Sequence, residues 1–207
     1  MVEVKICGLT AMKDISIVNK YRSDYAGFIF ADSRRRVTPG IVTEMVEALL
    51  PSIKKVGVFV NENAERINEI VESCQLDIVQ LHGDETPYFC SLIRKPVWKA
   101  IRIKGRESLE IAREYNVDAL LLDTYSKDHY GGVGRTFDWD IASEIGRIKK
   151  VVLAGGLTSH NVSGAIDVIR PFCVDVSSGV ETECTKDEAK VKEFIDKIKS
   201  GGIEYGK

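Results

Sequence analysis

The first ten residues, MVEVKICGLT at Met1–Thr10, alternate apolar and polar side chains and then break at a glycine. Successive side chains of an extended strand point to opposite faces, so Val2, Val4 and Ile6 share one face and Glu3, Lys5 and Cys7 the other. The same kind of short apolar run recurs along the chain. Strand candidates follow at Tyr25–Phe30, Lys55–Val60, Ile78–His82, Val97–Ile103, Ala119–Asp123, Lys150–Ala154 and Cys173–Ser177. With Val2–Cys7 they make eight. Between them lie segments with apolar residues at three- and four-residue steps, such as Ile67, Ile70, Val71 and Cys74, the pattern of an amphipathic helix. A last helix is expected from Asp187 to Lys199, with Val191, Phe194, Ile195 and Ile198 on one face.

Strands that alternate with helices pair in parallel through right-handed crossovers. An open doubly wound sheet fits the alternation, but eight units of small average size favour closure. The expected fold is a single-domain (β/α)8 TIM barrel of the α/β class, spanning residues 1–207 with no linker to divide it. Val2, Val4 and Ile6 then pack against the helices, while Glu3, Lys5 and Cys7 point into the barrel with Cys7 uppermost.

Composition sets the outer bounds. Hydrophobic residues are 44% and charged residues 29%, with a net charge of −2 and a pI near 6.0. No global basic field attracts nucleic acid, and no apolar run is long enough to cross a bilayer. The N-terminus lacks the pattern of a signal peptide. The five cysteines, Cys7, Cys74, Cys90, Cys173 and Cys184, form no CxxC pair and no zinc-spaced cluster. A cytoplasmic location, free thiols and no metal are expected.

Reactive or glycine-type residues collect where strands end, the rim on which such barrels build their sites. The first strand ends in Cys7-Gly8, the fourth in His82-Gly83 and the sixth in Asp123. The seventh runs into Gly155-Gly156 and the eighth into Ser177-Ser178-Gly179. A lone cysteine suits a small core position, but a thiol at the mouth beside a cation is also placed to act as a base. Asp123 follows three leucines and suits either a turn cap or a partly desolvated proton donor. Asp175, between Val174 and Val176, faces inward as a partner for a sugar hydroxyl or for backbone amides. The two glycine sites lie side by side in a closed barrel and offer amides to a phosphate. Arg34-Arg35-Arg36 is either a solvated charge run or a grip for a carboxylate. His82 lines the pocket or holds a loop through a hydrogen bond. The stretch TYSKDHYGGVGRT, Thr124–Thr136, is long for a βα connection and reads as a lid or a tolerated insertion. The tail Gly201–Lys207 reads as loose, and ETECTKDEAK around Cys184 carries no assignable role.

Several motifs resemble phosphoribosylanthranilate isomerases, in order and over nearly the whole chain. They are KICGLT at Lys5–Thr10, GFIF at Gly27–Phe30, GVFVN at Gly57–Asn61, VQLHG at Val79–Gly83 and LLLDT at Leu120–Thr124. GGVGRTFDW at Gly131–Trp139, LAGGL at Leu153–Leu157 and DVSSGVE at Asp175–Glu181 complete the set. The resemblance implies a cofactor-free Amadori rearrangement of N-(5-phosphoribosyl)anthranilate in tryptophan biosynthesis, with Cys7 as general base and Asp123 as general acid. By the same carry-over Arg35 binds the anthranilate carboxylate, with Arg34 or Arg36 able to share that role. His82 belongs to the substrate site and Asp175 takes a ribose hydroxyl. Amides around Gly155, Gly156, Ser178 and Gly179 hold the phosphate. The implied partner is a small phosphosugar, met by a monomer or homodimer. Related isomerases of histidine biosynthesis typically carry aspartate where Cys7 stands, and a non-catalytic phosphosugar-binding barrel would not need both Cys7 and Asp123.

Overall fold

A computed structural model describes residues 1–103, 106–123 and 139–201. The Thr124–Thr136 connection, the GGVGRTFD part of its motif and the tail beyond Gly201 lie outside the described residues. Eight parallel strands close into a barrel in chain order. They are β1 (Glu3–Cys7), β2 (Tyr25–Ile29), β3 (Lys54–Phe59), β4 (Ile78–Leu81), β5 (Val97–Arg102), β6 (Ala119–Asp123), β7 (Val151–Ala154) and β8 (Cys173–Val176). β1 pairs with β2 on one side and β8 on the other, which seals the sheet. The barrel and its order match the sequence reading, and strand ends differ from it by no more than one residue.

Helices α1 (Met12–Tyr21), α2 (Pro39–Glu47), α3 (Ala64–Ser73), α4 (Pro87–Ser91), α5 (Glu107–Glu114), α6 (Trp139–Ile148), α7 (Val162–Ile169) and α8 (Glu188–Gly201) surround it. Their starts follow from local chemistry. Asn63 caps α3 by accepting from the amides of Glu65 and Arg66. Pro39 and Pro87 open α2 and α4, where a missing N–H costs nothing. Helix α8 buries Val191, Phe194, Ile195 and Ile198, as its three- and four-residue spacing requires.

Two apolar clusters follow from strand alternation. Val4, Ile6, Leu120, Leu122 and Leu153 face the helices. Tyr25, Val56, Ile78, Trp98, Ala119 and Leu121 face the bore. Tyr25 and Trp98 meet edge to face at 4.9 Å, and Phe172 packs on both. The Tyr25 hydroxyl donates to Glu3 at 2.5 Å. These groups line the N-terminal half of the bore, while Lys5, Gln80, His82 and Asp123 lie further toward the C-terminal mouth.

Between β8 and α8 lies the stretch around Cys184, which carries no assignable role in the sequence. The chain forms a 3-10 turn, Ser178–Val180, and then a two-stranded antiparallel hairpin, β9 (Glu181–Thr182) with β10 (Thr185–Lys186). Glu183 and Cys184 turn it with positive φ. Alternation alone cannot signal a hairpin with two-residue strands.

Candidate active site

β1 brings Lys5 and Cys7 into the bore, one above the other. A Cβ on Gly27 of β2 would lie 2.9 Å from Cys7 Sγ and 3.1 Å from Lys5 Cε, so glycine at that position makes room for both. Lys5 is fully buried, and its ammonium donates to Asp175 Oδ2 of β8 at 2.9 Å and Gln80 Oε1 of β4 at 2.8 Å. Burial would lower the Lys5 pKa, but the charges of Asp175 and Cys7 hold it above its ordinary value. Burial pushes the Cys7 thiol up, while the Lys5 ammonium, and more weakly that of Lys186, pulls it back.

From Gln80 the side-chain contacts continue across the mouth. Its Nε2 lies 2.9 Å from His82 Nδ1, and His82 Nε2 lies 3.3 Å from Asp123 Oδ2. Asp123 ends β6 on the same face as Ala119 and Leu121, so it points into the bore. It is half-buried, as a carboxylate at a wet rim should be. Asp175, Lys5, Gln80, His82 and Asp123 thus form one connected line between the base candidate and the acid candidate. Asp175 keeps a second oxygen, Oδ1, buried and without a hydrogen-bond partner among the described residues.

Above Cys7 lies a second charged group. Arg35, in the loop after β2, donates from Nε and Nη2 to Glu181 at 2.7 and 2.6 Å. Lys186 of the hairpin donates to the same carboxylate at 2.5 Å. Burial opposes the Glu181 charge, but hydrogen bonds from Arg35 and Lys186 bring its pKa down to about 2. Burial lowers the Lys186 pKa despite Glu181. Two cations share one carboxylate here. Of the three adjacent arginines, Arg35 turns inward over Gly8, where an added Cβ would meet Arg35 Cδ at 2.5 Å, whereas Arg34 and Arg36 are more exposed.

The glycine loops meet as expected of neighbouring units. Gly155 and Gly156 both adopt positive φ after β7. A Cβ on Gly179 would collide with the Leu157 carbonyl oxygen, so close backbone approach fixes glycine there. Ser178 begins the 3-10 turn that contains Gly179.

Cys7, His82, Asp123, Asp175 and the glycine loops therefore gather at one rim, and Arg35 stands beside them. Alternation alone turns Lys5 inward without giving it a role, and no motif in the sequence singles out Gln80, Glu181 or Lys186 for one. Gln80 was findable, because it alternates with Ile78 and His82 on the bore face. Arg102 was findable by the same rule, since the β5–β6 register sets it beside Asp123.

Comparison with known proteins agrees with this geometry. The profile of the N-(5'-phosphoribosyl)anthranilate (PRA) isomerase family matches residues 4–197. The N-(5'-phosphoribosyl)anthranilate isomerase of Acetivibrio thermocellus is 47% identical, over 97% of this chain and 98% of its own. A crystal structure of monomers generated from the dimeric phosphoribosylanthranilate isomerase of Thermotoga maritima superposes with a TM-score of 0.84 at 40% identity, covering 97% of this chain and all of that one. A phosphoribosylanthranilate isomerase in complex with reduced 1-(o-carboxyphenylamino)-1-deoxyribulose 5-phosphate gives 0.84 at 39%, with the same coverage. With the barrel, the rim and the matched length in agreement, this chain belongs to the phosphoribosylanthranilate isomerase family.

Proposed function

We propose that this chain carries out its family's reaction, in tryptophan biosynthesis, with Cys7 as general base and Asp123 as general acid. Asp123 gives a proton to the ribose ring oxygen as the C1′–O bond breaks, and the anthranilate nitrogen lone pair closes a Schiff base. Cys7 as thiolate then takes the proton from C2′, and the electron pair left behind forms the enolamine. Tautomerisation to the ketone yields 1-(2-carboxyphenylamino)-1-deoxyribulose 5-phosphate, with no net change in electrons and no cofactor. The observation that carries the reading is the connected line from Asp175 and Lys5 through Gln80 and His82 to Asp123, with Cys7 at its other end.

The remaining assignments rest on the same rim. The excess positive charge of Arg35 and Lys186 over Glu181 suits the anthranilate carboxylate. The unpartnered Asp175 Oδ1 suits a ribose hydroxyl, since a buried acceptor left alone is costly. Amides around Gly155, Gly156, Ser178 and Gly179 suit the phosphate, and His82 lines the pocket beside the acid. Five free thiols suit a cytoplasmic enzyme. A monomer or homodimer is the proposed assembly, the dimeric Thermotoga relative supporting the second form.

Cys7→Ser and Asp123→Asn test the pair. Each is expected to cut kcat by about 10²–10⁴-fold with KM little changed, the scale of general acid–base catalysis. Turnover is followed by the loss of substrate fluorescence. Near-normal kcat in the serine variant would return Cys7 to the core and move the search for a base to Asp175.

A further inference from the structure

We propose that Gln80 is a positioning residue that fixes which nitrogen of His82 bears the proton, and through it which oxygen of Asp123 carries the transferable proton. The inference rests on Asp123 being the acid, and it assigns Gln80 and His82 a part in presenting that acid's proton.

Donor and acceptor rules determine the direction of every bond. A lysine ammonium only donates, so the Gln80 group at 2.8 Å from Lys5 Nζ must be the amide oxygen. The Gln80 NH2 then faces His82 Nδ1 at 2.9 Å. That NH2 also only donates, so Nδ1 is the acceptor. A neutral imidazole has one N–H, and it therefore lies on Nε2, pointing at Asp123 Oδ2 at 3.3 Å. The carbonyl oxygen of a protonated carboxyl is its stronger acceptor, so the bond from His82 favours Oδ2 in that role and biases the acid proton of Asp123 toward Oδ1. The ammonium of Lys5 thus sets a polarity that is relayed through two neutral side chains to the acid. Gln80 is 2% exposed, so water does not compete for either end of its amide. Lys5 remains charged, because Asp175 and Cys7 offset its burial.

Among the described residues, the titratable groups on the elements around His82 are Lys5 and Cys7 of β1, Arg102 of β5, Asp123 of β6, Asp175 of β8, and Asp84 and Glu85 beyond β4. Of these, only Asp123 is bonded to the ring. The relay accounts for why an uncharged amide lies buried between an ammonium and an imidazole. A purely packing role would be served by methionine or leucine.

The test is 15N NMR of imidazole-labelled protein. The chain has three histidines, His82, His129 and His160, and a His82→Asn variant assigns the signals. At neutral pH the wild-type His82 is expected to show an imine-type Nδ1 and a pyrrole-type Nε2–H. Gln80→Glu puts an acceptor against Nδ1, so Nδ1 is expected to gain a proton. In that variant kcat should fall about 10–100-fold, the usual cost of losing an orienting partner, with KM nearly constant and a shifted kcat–pH profile. Gln80→Met removes the lock without adding charge and should give mixed tautomers with a similar loss in kcat. A wild-type proton on Nδ1 would overturn the proposal even if neither variant folds. So would unchanged His82 signals and kcat in either folded variant. Full kcat in Asp123→Asn, by contrast, would remove the acid assignment and leave the tautomer result standing.

Discussion

Cys7 with Lys5 and Asp175, and Cys90 with Lys99 and Glu85, are two groups of the same composition on opposite sides of the barrel wall. Both thiols are 6% exposed and pushed up by burial. Both lysines are buried and ion-paired, at 2.9 and 3.0 Å. Neither burial nor charge separates the two groups; their place relative to the wall does. Val97 and Ile101 face the helices and Trp98 the bore, so Lys99 lies on the helix side of β5, and Cys90 packs there from α4. Besides Glu85, Lys99 donates to the carbonyls of Leu81, Gly83 and Ala100. Lys5 is bonded to side chains alone, and they lead to the mouth. A buried charge that closes on backbone holds a loop in place, whereas one that closes on a line of side chains carries polarity to reacting groups. The two are also linked, since Leu81 and Gly83 flank His82. The outer clasp holds from behind the strand end on which the inner line depends.

The largest expected effect is on the outer clasp. Glu85 accepts from Lys99 and from the amides of Asn61 and Gly83. Glu85→Ala leaves a buried ammonium without its counter-charge, so a loss of about 3–5 kcal/mol in stability is expected by urea unfolding. The remaining folded protein should keep much of its kcat. A loss below about 1 kcal/mol, well under that range, would show that the three carbonyls satisfy Lys99 alone.

Lys5→Met probes the inner group, where activity should respond along with stability, since buried Asp175 also loses its counter-charge. The Lys5 ammonium favours the Cys7 thiolate, so removing it lifts the thiol pKa further. A base works when deprotonated, so the rising limb of kcat/KM must move to higher pH. Alkylation of Cys7 by iodoacetamide should shift the same way, because the thiolate is the reactive form. At neutral pH kcat should drop about 10–100-fold. An alkylation profile that stays in place would mean that Lys5 supports Asp175 and leaves the thiol alone.

The difference between the two groups was only half legible in the sequence. Period-two alternation sent Lys5 and Cys7 into the bore, because a strand leaves each side chain one choice of face. The same rule shows that Gln80 and Arg102 share that face, yet it says nothing of what each side chain reaches. Lys99 reads as an interruption in VWKAI, since its partner Glu85 belongs to a loop whose path is set by tertiary packing. The sequence offers Arg35 as a solvated charge or a carboxylate grip, and says nothing of its bond to Glu181, which spans 146 positions and reaches the hairpin after β8. Long-range ion pairs leave no local period. The eight strands do, which is why the barrel was readable from the chain and the wiring of its mouth was not.

The smallest effect is expected at Cys90, and it isolates what position contributes. Cys90→Ala deletes one buried sulfur atom from the layer between strands and helices, leaving a small cavity. A loss of about 0.5–1.5 kcal/mol follows, as for other single-group deletions in a packed core. The kcat should not change, because the thiol touches neither the bore nor the side chains that cross it. Alkylation makes the contrast sharper. Both thiols have raised pKa values and equal exposure, so a purely local account gives them similar reactivity. A site at the mouth predicts otherwise. A bound product analogue should shield Cys7 from iodoacetamide and leave any slow reaction at Cys90 untouched. Equal protection of both thiols would mean that the analogue tightens the whole fold and does not cover the mouth.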